Sequence, residues 1–208
     1  MKQIQLADIV EIKSIMRLNS LRTGNNEEKV SDPFHFIKPH DFNEFGYIRA
    51  TEATSEVTLS EHDLNYVSSR NVVLKPYDIL IAIRFPSTIP VGIILDEISL
   101  DCIASPVFSI LRVENHQLRK EISLNIFSFF VSQIGSQVLH HIQNLPTGRR
   151  ESLSQILIPV LEGNERETLV NNIEKEIQKY KEIEKIKTEI YQTREKTDLL
   201  CLETTKKS

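Results

Sequence analysis

Tryptophan is absent from the 208 residues, and cysteine, methionine and glycine are scarce, at two, two and six. The two cysteines, Cys102 and Cys201, show no pairing pattern, and the second sits in a polar tail. That excludes a disulfide-stapled scaffold and fits a reducing compartment. No stretch approaches the roughly 18 apolar residues of a membrane helix. The opening Met1-Lys-Gln-Ile-Gln-Leu6 lacks the apolar core of a secretory signal, so the expected location is cytoplasmic. Catalytic signatures are missing as well: there is no G-x-S-x-G, H-E-x-x-H, C-x-x-C, phosphate-binding loop or G-x-G-x-x-G. The expectation is a chain that is not an enzyme and carries no metal and no cofactor.

An excess of positive charge is also lacking. Lys and Arg number 25 against 29 Asp and Glu, a net charge of −4. Residues 165–196 balance eight basic against eight acidic side chains, which leaves residues 1–164 mildly acidic, with fifteen basic and nineteen acidic. Neutralised phosphates supply most nucleic-acid affinity. A DNA-binding role therefore requires a local basic patch and a partner that adds further phosphate contacts.

What is present is a globular composition, 40% hydrophobic and 26% charged, long enough for one domain with an appendage. Leu6, Ile9, Val10 and Ile12 fit a short helix or a strand, and residues 17–33 read as a polar loop ending at Asp32-Pro33. Phe34–Ile37 and Phe45–Ile48 are short aromatic and β-branched runs expected as strands, whereas residues 51–71 are ambiguous. The clearest β signal starts at Val72-Val-Leu74. A turn at Lys75-Pro-Tyr-Asp78 follows, in which Asp78 is expected to bond the next backbone N–H groups. Ile79–Ile83, Val91–Leu95, Asp101–Ile103 and Val107–Leu111 continue the pattern, so close together that they predict a compact, mostly antiparallel sheet.

At Ser123, a good N-cap, the period changes. Ile126, Phe130, Ile134, Val138 and Ile142 recur at i+4, with Phe127 and Val131 beside them, predicting one helix to Leu145-Pro146. Ser152–Pro159 returns to the core and Gly163 marks a boundary. From Asn164 to about Lys196 no Pro or Gly intervenes. There Ile173, Ile177, Tyr180, Ile183, Ile186 and Ile190 form a stripe stepping by three and four, the spacing of a coiled-coil seam. So polar a helix must lay its stripe on another helix. Periodicity does not say whether the partner is a second copy or another protein.

Few side chains suggest chemistry. His140 and His141 are adjacent and point in different directions on a helix, one expected at the surface and one partly buried. Asp96-Glu97 and Asp101 flank a hairpin turn; with His140 they are the raw material of a rival hydrolase reading. Cys102 lies in an apolar strand pattern and is expected to be an inert thiol. The candidate DNA contacts are two. In Thr147-Gly148-Arg149-Arg150, read as a basic loop, two guanidinium forks can reach phosphate or the acceptor edge of guanine, with Gly148 shaping the turn. The bland alternative is a solvated turn whose arginines complement a helix C-terminus. In the double-proline segment after the second strand, Arg84, Ser87 and Thr88 offer a cation and short hydroxyls on a stiff loop, against an ordinary hairpin loop. Lys38 and His40 beside Asp41 are weaker candidates, and Arg70 and Lys75 read as surface charges.

The order of these pieces resembles the specificity subunits of type I restriction–modification systems. The matching stretches are Leu74-Lys-Pro-Tyr-Asp-Ile-Leu-Ile81, Val91-Gly92 and Asp101-Cys-Ile-Ala-Ser-Pro-Val-Phe108. After them come the helix ending in Gln143, the Thr147-Gly148 turn, Leu153–Pro159 and the long charged helix, and Leu6–Ile12 echoes the family's opening pattern. Tyr77 stands where the family has Gly, and Pro159–Arg166 replaces its Pro-x-x-x-Glu-Gln pattern. A full specificity subunit looks like two recognition domains and two long helices in one chain; this chain holds one of each. The resemblance implies a half-subunit restored by dimerising, with methylation and cleavage left to separate modification and restriction subunits.

The expected fold is thus α+β: a compact, mostly β target-recognition domain with packed helices over residues 1–162, then a long coiled-coil-type helix and polar tail over residues 163–208. The expected function is sequence-specific, non-catalytic recognition of double-stranded DNA by a homodimer joined through the isoleucine stripe, with no membrane partner. The competing reading is a coiled-coil assembly module that binds only protein, which the acidic balance favours.

Overall fold

The computed structural model describes residues 2–15, 18, 34–42, 45–48, 55–83, 91–95 and 101–205, with side chains through 197. The chain divides into two compact units, Met1–Leu161 and Glu162–Ser208.

The first unit is built on a five-stranded sheet. Its centre is β6 (Ile79–Ala82), β7 (Val91–Ile94) and β9 (Phe108–Arg112), buried at every position. Strands apolar on both sides belong inside a sheet covered on both faces. The order is β2-β9-β6-β7-β4, with β2 (Glu11–Ser14) and β4 (Tyr47–Ile48) at the edges. A three-stranded sheet, β5-β3-β8, is formed by β3 (Phe34–Ile37), β5 (Glu56–Val57) and β8 (Cys102–Ala104). β1 (Lys2–Gln5) pairs with β10 (Leu157–Val160). Five of the seven pairings among the described residues are antiparallel; β3–β8 and β4–β7 are parallel.

The alternation of side chains along β6 divides the core in two. Leu80 and Ala82 join Ile94, Phe108 and Ile110 in one cluster with Phe34, Phe36, Ile103 and Val67. In this cluster Gly92 leaves room for the Phe42 ring, which stacks on Phe108 at 5.1 Å; a Cβ at Gly92 would lie 2.8 Å from Phe42. Ile79 and Ile81 face the other way, the side on which α2 (Arg119–Val131) packs and Phe127 meets Tyr47 at 5.8 Å.

The turn before β6 differs from expectation. Val72–Leu74 is irregular rather than a strand, and Asp78 reaches backward instead of forward. Its Oδ2 accepts the Lys75 N–H at 2.9 Å. The fully buried carboxylate also receives Arg112 Nε at 2.9 Å and Nη2 at 2.5 Å, while Arg112 donates to the carbonyls of Asn71 and Val73 at 2.6 and 2.7 Å. One ion pair thereby binds residues 71–78 to β9. Tyr77 sits at φ +66°, a left-handed conformation natural to glycine. Lys120 Nζ stands 5.9 Å from its ring centroid.

The ambiguous stretch contains α1 (Glu61–Ser69), capped by Ser60 Oγ accepting the Asp63 N–H. The helix expected from Ser123 begins earlier, at Arg119, and Ser123 is buried inside it. Nor is it continuous: at Ser132 it breaks by 75° into α2 and α3 (Gln133–Gln143). The break turns Val131 and Ile134 outward, 51% and 68% exposed, so the predicted single buried face does not form. α4 (Arg149–Ser154) and β10 close the unit. Among the described residues no single helix is long and apolar enough to cross a membrane.

The second unit is α5 (Gly163–Thr205), which begins at a left-handed Gly163. It runs 43 residues, longer than the predicted span. Within the single chain Ile173 and Tyr180 are buried and Ile177 is half-buried, while Ile183, Ile186 and Ile190 are exposed.

Candidate nucleic-acid interface

The two predicted contact segments have their roots at one end of the five-stranded sheet. β6 ends at Ala82, immediately before the segment holding Arg84, Ser87 and Thr88; those three lie outside the described residues. Gln143, at the C-terminal end of α3, donates from Nε2 to the Ala82 carbonyl at 2.5 Å. This ties the start of that segment to the helix leading into Gly148. On the same sheet end, Ser14 pairs with Ser109, which pairs in turn with Ile81. Ser14 and Ile81 therefore stand two strand spacings apart, roughly 10 Å.

Arg150 reaches this end from the other side. Its Nη1 lies 3.4 Å from Ser14 Oγ, and its Nη2 donates to the Ile12 carbonyl. The residues expected as a basic loop in fact open α4. Gly148, at φ +69°, caps it in the left-handed conformation that lets the chain reverse after α3. Arg149 Nε donates to the Leu145 carbonyl at 2.8 Å. Both arginines thus have backbone partners, which aim them; Arg150 remains exposed and Arg149 half-buried. Spacing on its own could not show that Arg150 contacts β2, because the two lie 138 residues apart in sequence.

Arg150 is joined by cations that sequence pattern marks only as surface charges or does not mark at all. Lys13, on the edge strand β2, is only 8% exposed; its Nζ lies 2.6 Å from Glu11 Oε2 and 3.4 Å from the Arg70 carbonyl. Arg70 ends α1. Tyr66 Oη donates to the Ser14 carbonyl at 3.4 Å. These groups surround a cleft of about 310 Å³. The signal available in sequence was the alternation Glu11-Ile-Lys13-Ser14, which places Glu11 and Lys13 on the same side of a strand.

At the opposite end of the sheet, burial and the nearby Arg112 and Arg119 cations lower the Lys75 pKa. Cys102 is buried, and burial together with Asp101 pushes its thiol from the ordinary 9.0 up to about 11, as expected for an inert group. His140 and His141 are both exposed, so the expected half-buried histidine is absent: Leu139 and Ile142 take the buried side of that turn and the two histidines its outer side. The rival hydrolase set of Asp96, Asp101 and His140 is described only in part. Asp96 lies outside the described residues, and among the described residues no three metal-ligating side chains cluster. Lys38 bonds Ser55 Oγ at 2.6 Å and its backbone N–H bonds Asp41, which makes that turn self-contained.

An α+β domain followed by one long helix is the class these elements define. Solved structures are similar to this chain. The type IIG restriction endonuclease BpuSI is similar over 83% of this chain and 26% of its own, at 10% identity and a TM-score of 0.56. The HsdS subunit from Thermoanaerobacter tengcongensis is similar over 86% and 37%, at 14% identity and 0.44. A chain from a structure on assembly and conformational transition of the type I R-M system is similar over 90% and 41%, at 15% identity and 0.48. At these identities the likeness is one of fold, and this chain spans less than half the length of each. No protein-family model and no curated protein matches the chain.

Proposed function

We propose that this chain is a non-catalytic DNA-reading component of a type I restriction–modification system, acting in the cytoplasm as a homodimeric half-subunit that positions modification and restriction partners. The observation that carries the reading is the join of an α+β domain to a 43-residue helix whose Ile183, Ile186 and Ile190 stand exposed. Three exposed isoleucines at three- and four-residue spacing are a seam lacking a partner. The ordered motifs from Leu74 to Pro159 add to it, as does a fold shared with a restriction endonuclease. In the proposed complex Arg84, Ser87, Thr88, Arg149 and Arg150 contact double-stranded DNA, and Gly148 shapes the approach.

Within the isoleucine stripe, the seam between copies is assigned to residues 183–190, where Ile183, Ile186 and Ile190 are exposed. Replacing Ile183 and Ile186 with Lys should convert the dimer to a monomer by light scattering while leaving the domain folded. An unchanged dimer mass places the interface elsewhere. The reading by bases is tested by selecting bound fragments from random-sequence duplex with the complex reconstituted from its methyltransferase partner. A common sequence is expected; no enrichment at low salt would favour the protein-only assembly module suggested by the net charge of −4.

A further inference from the structure

We propose that the cleft between β2, the end of α1 and the start of α4 is a phosphate-binding site. Its charge is unlike that of the chain around it: Lys13, Arg70 and Arg150 face it against a single carboxylate, Glu11. These three cations come from three elements far apart in sequence, so the fold, not a local charge run, has gathered them.

The geometry favours a phosphate over a monovalent anion. Arg150 is aimed by the Ile12 carbonyl and Ser14 Oγ. Lys13 is almost enclosed, its ammonium held by Glu11 at 2.6 Å and the Arg70 carbonyl at 3.4 Å. The Arg70 side chain is exposed and makes no hydrogen bond or ion pair with any described residue, which leaves its five donors for a ligand. Phosphate oxygens can accept from several such donors at once, and an arginine fork matches them bidentately. Tyr66 and Ser14 add hydroxyls to the wall. At about 310 Å³ the cleft is at the small end of ligand pockets, which run from about 300 to 1,000 Å³. It has room for a phosphate with one substituent. That phosphate can be free, as orthophosphate or a nucleoside monophosphate, or part of a DNA backbone; only the second source rests on the DNA-reading proposal.

The test uses the full chain. ³¹P line broadening of orthophosphate and of adenosine monophosphate is titrated with wild type, Arg70→Gln and Glu11→Gln, and the same three proteins are titrated with a duplex at several salt concentrations. Arg70→Gln removes a charge-assisted contact and should weaken phosphate binding at least about tenfold. Glu11→Gln removes the one repelling carboxylate and should tighten it, an opposite sign that damage to the fold would not produce. If the free anions do not bind but Arg70→Gln weakens the duplex and lowers the salt slope by about one, the phosphate is that of DNA. Phosphate binding without duplex binding would remove the DNA reading and leave the cleft. Duplex binding equal in all three proteins, with no phosphate binding, would remove the cleft and leave the DNA reading.

Discussion

At the residue scale the buried Asp78–Arg112 pair shapes the turn before β6 and is costly to break. Both side chains are withdrawn from water, and each is satisfied by more than the other: Asp78 by the Lys75 N–H, Arg112 by two carbonyls. A buried cation that loses its carboxylate has no water to replace it. Asp78→Ala should therefore destabilise the domain by about 3–5 kcal/mol in urea unfolding. Adding Arg112→Met to that variant removes the stranded charge and should recover part of the loss. A double variant that loses as much as the two single variants combined would mean that Asp78 acts through the Lys75 N–H alone. The neighbouring Tyr77 shows what the missing glycine costs. It holds a left-handed backbone that disfavours an L side chain by about 1–2 kcal/mol. Its N–H still bonds the Ile94 carbonyl at 2.8 Å, so the turn keeps the geometry glycine would adopt freely.

Between elements, the break at Ser132 decides what α2 and α3 present. Ser132 Oγ accepts the Gly135 N–H at 3.2 Å, starting α3 afresh. A Cβ on Gly135 would fall 2.0 Å from the Phe129 carbonyl oxygen, so only glycine lets the two helices meet at that angle. Gly135→Ala should cost more than about 2 kcal/mol, through forced displacement of backbone rather than helix propensity. Equal or higher stability by thermal unfolding would show that the corner can relax cheaply. This corner also marks where the sequence stops being legible. The i+4 apolar recurrence from Ile126 to Ile142 runs through it unbroken, and neither Ser nor Gly alone forbids a helix. The strands of the five-stranded sheet could be read because β6, β7 and β9 are apolar at nearly every position, a pattern that leaves few other structures. α1 could not, since its nine residues bury only Asp63 and Val67 and show no stripe. Of the candidate site, Gly148 and Arg150 were visible as types in a turn. The meeting of Arg150 with Lys13 and Arg70 was not, because it depends on β2 lying at the sheet edge beside α4.

For the whole molecule, the proposed dimer makes a prediction about distance. Two copies joined by antiparallel helices present identical readers related by a twofold axis. Their target should be two inverted half-sites separated by unread bases. The 43 residues of α5 amount to about 65 Å at 1.5 Å per residue. Partial overlap of the two helices shortens the distance between readers. With the seam on residues 183–190, about 24 residues of each copy, roughly 35 Å, lie between reader and seam, so half-site centres about 20 bp apart follow, one turn of DNA being about 34–36 Å. If the helix is a rigid ruler, inserting one heptad after Tyr180 keeps the register of Ile183, Ile186 and Ile190 and adds about 10 Å. Both copies carry the insertion on the reader side of the seam, so the preferred spacer should then lengthen by about 6 bp, with some loss of affinity because the readers also rotate around the duplex. The measurement is selection from a library with varied spacers, using wild-type and heptad-inserted protein side by side. A spacer preference that does not move, or a target with a single half-site, would leave one domain reading alone and the helix serving only to hold partners.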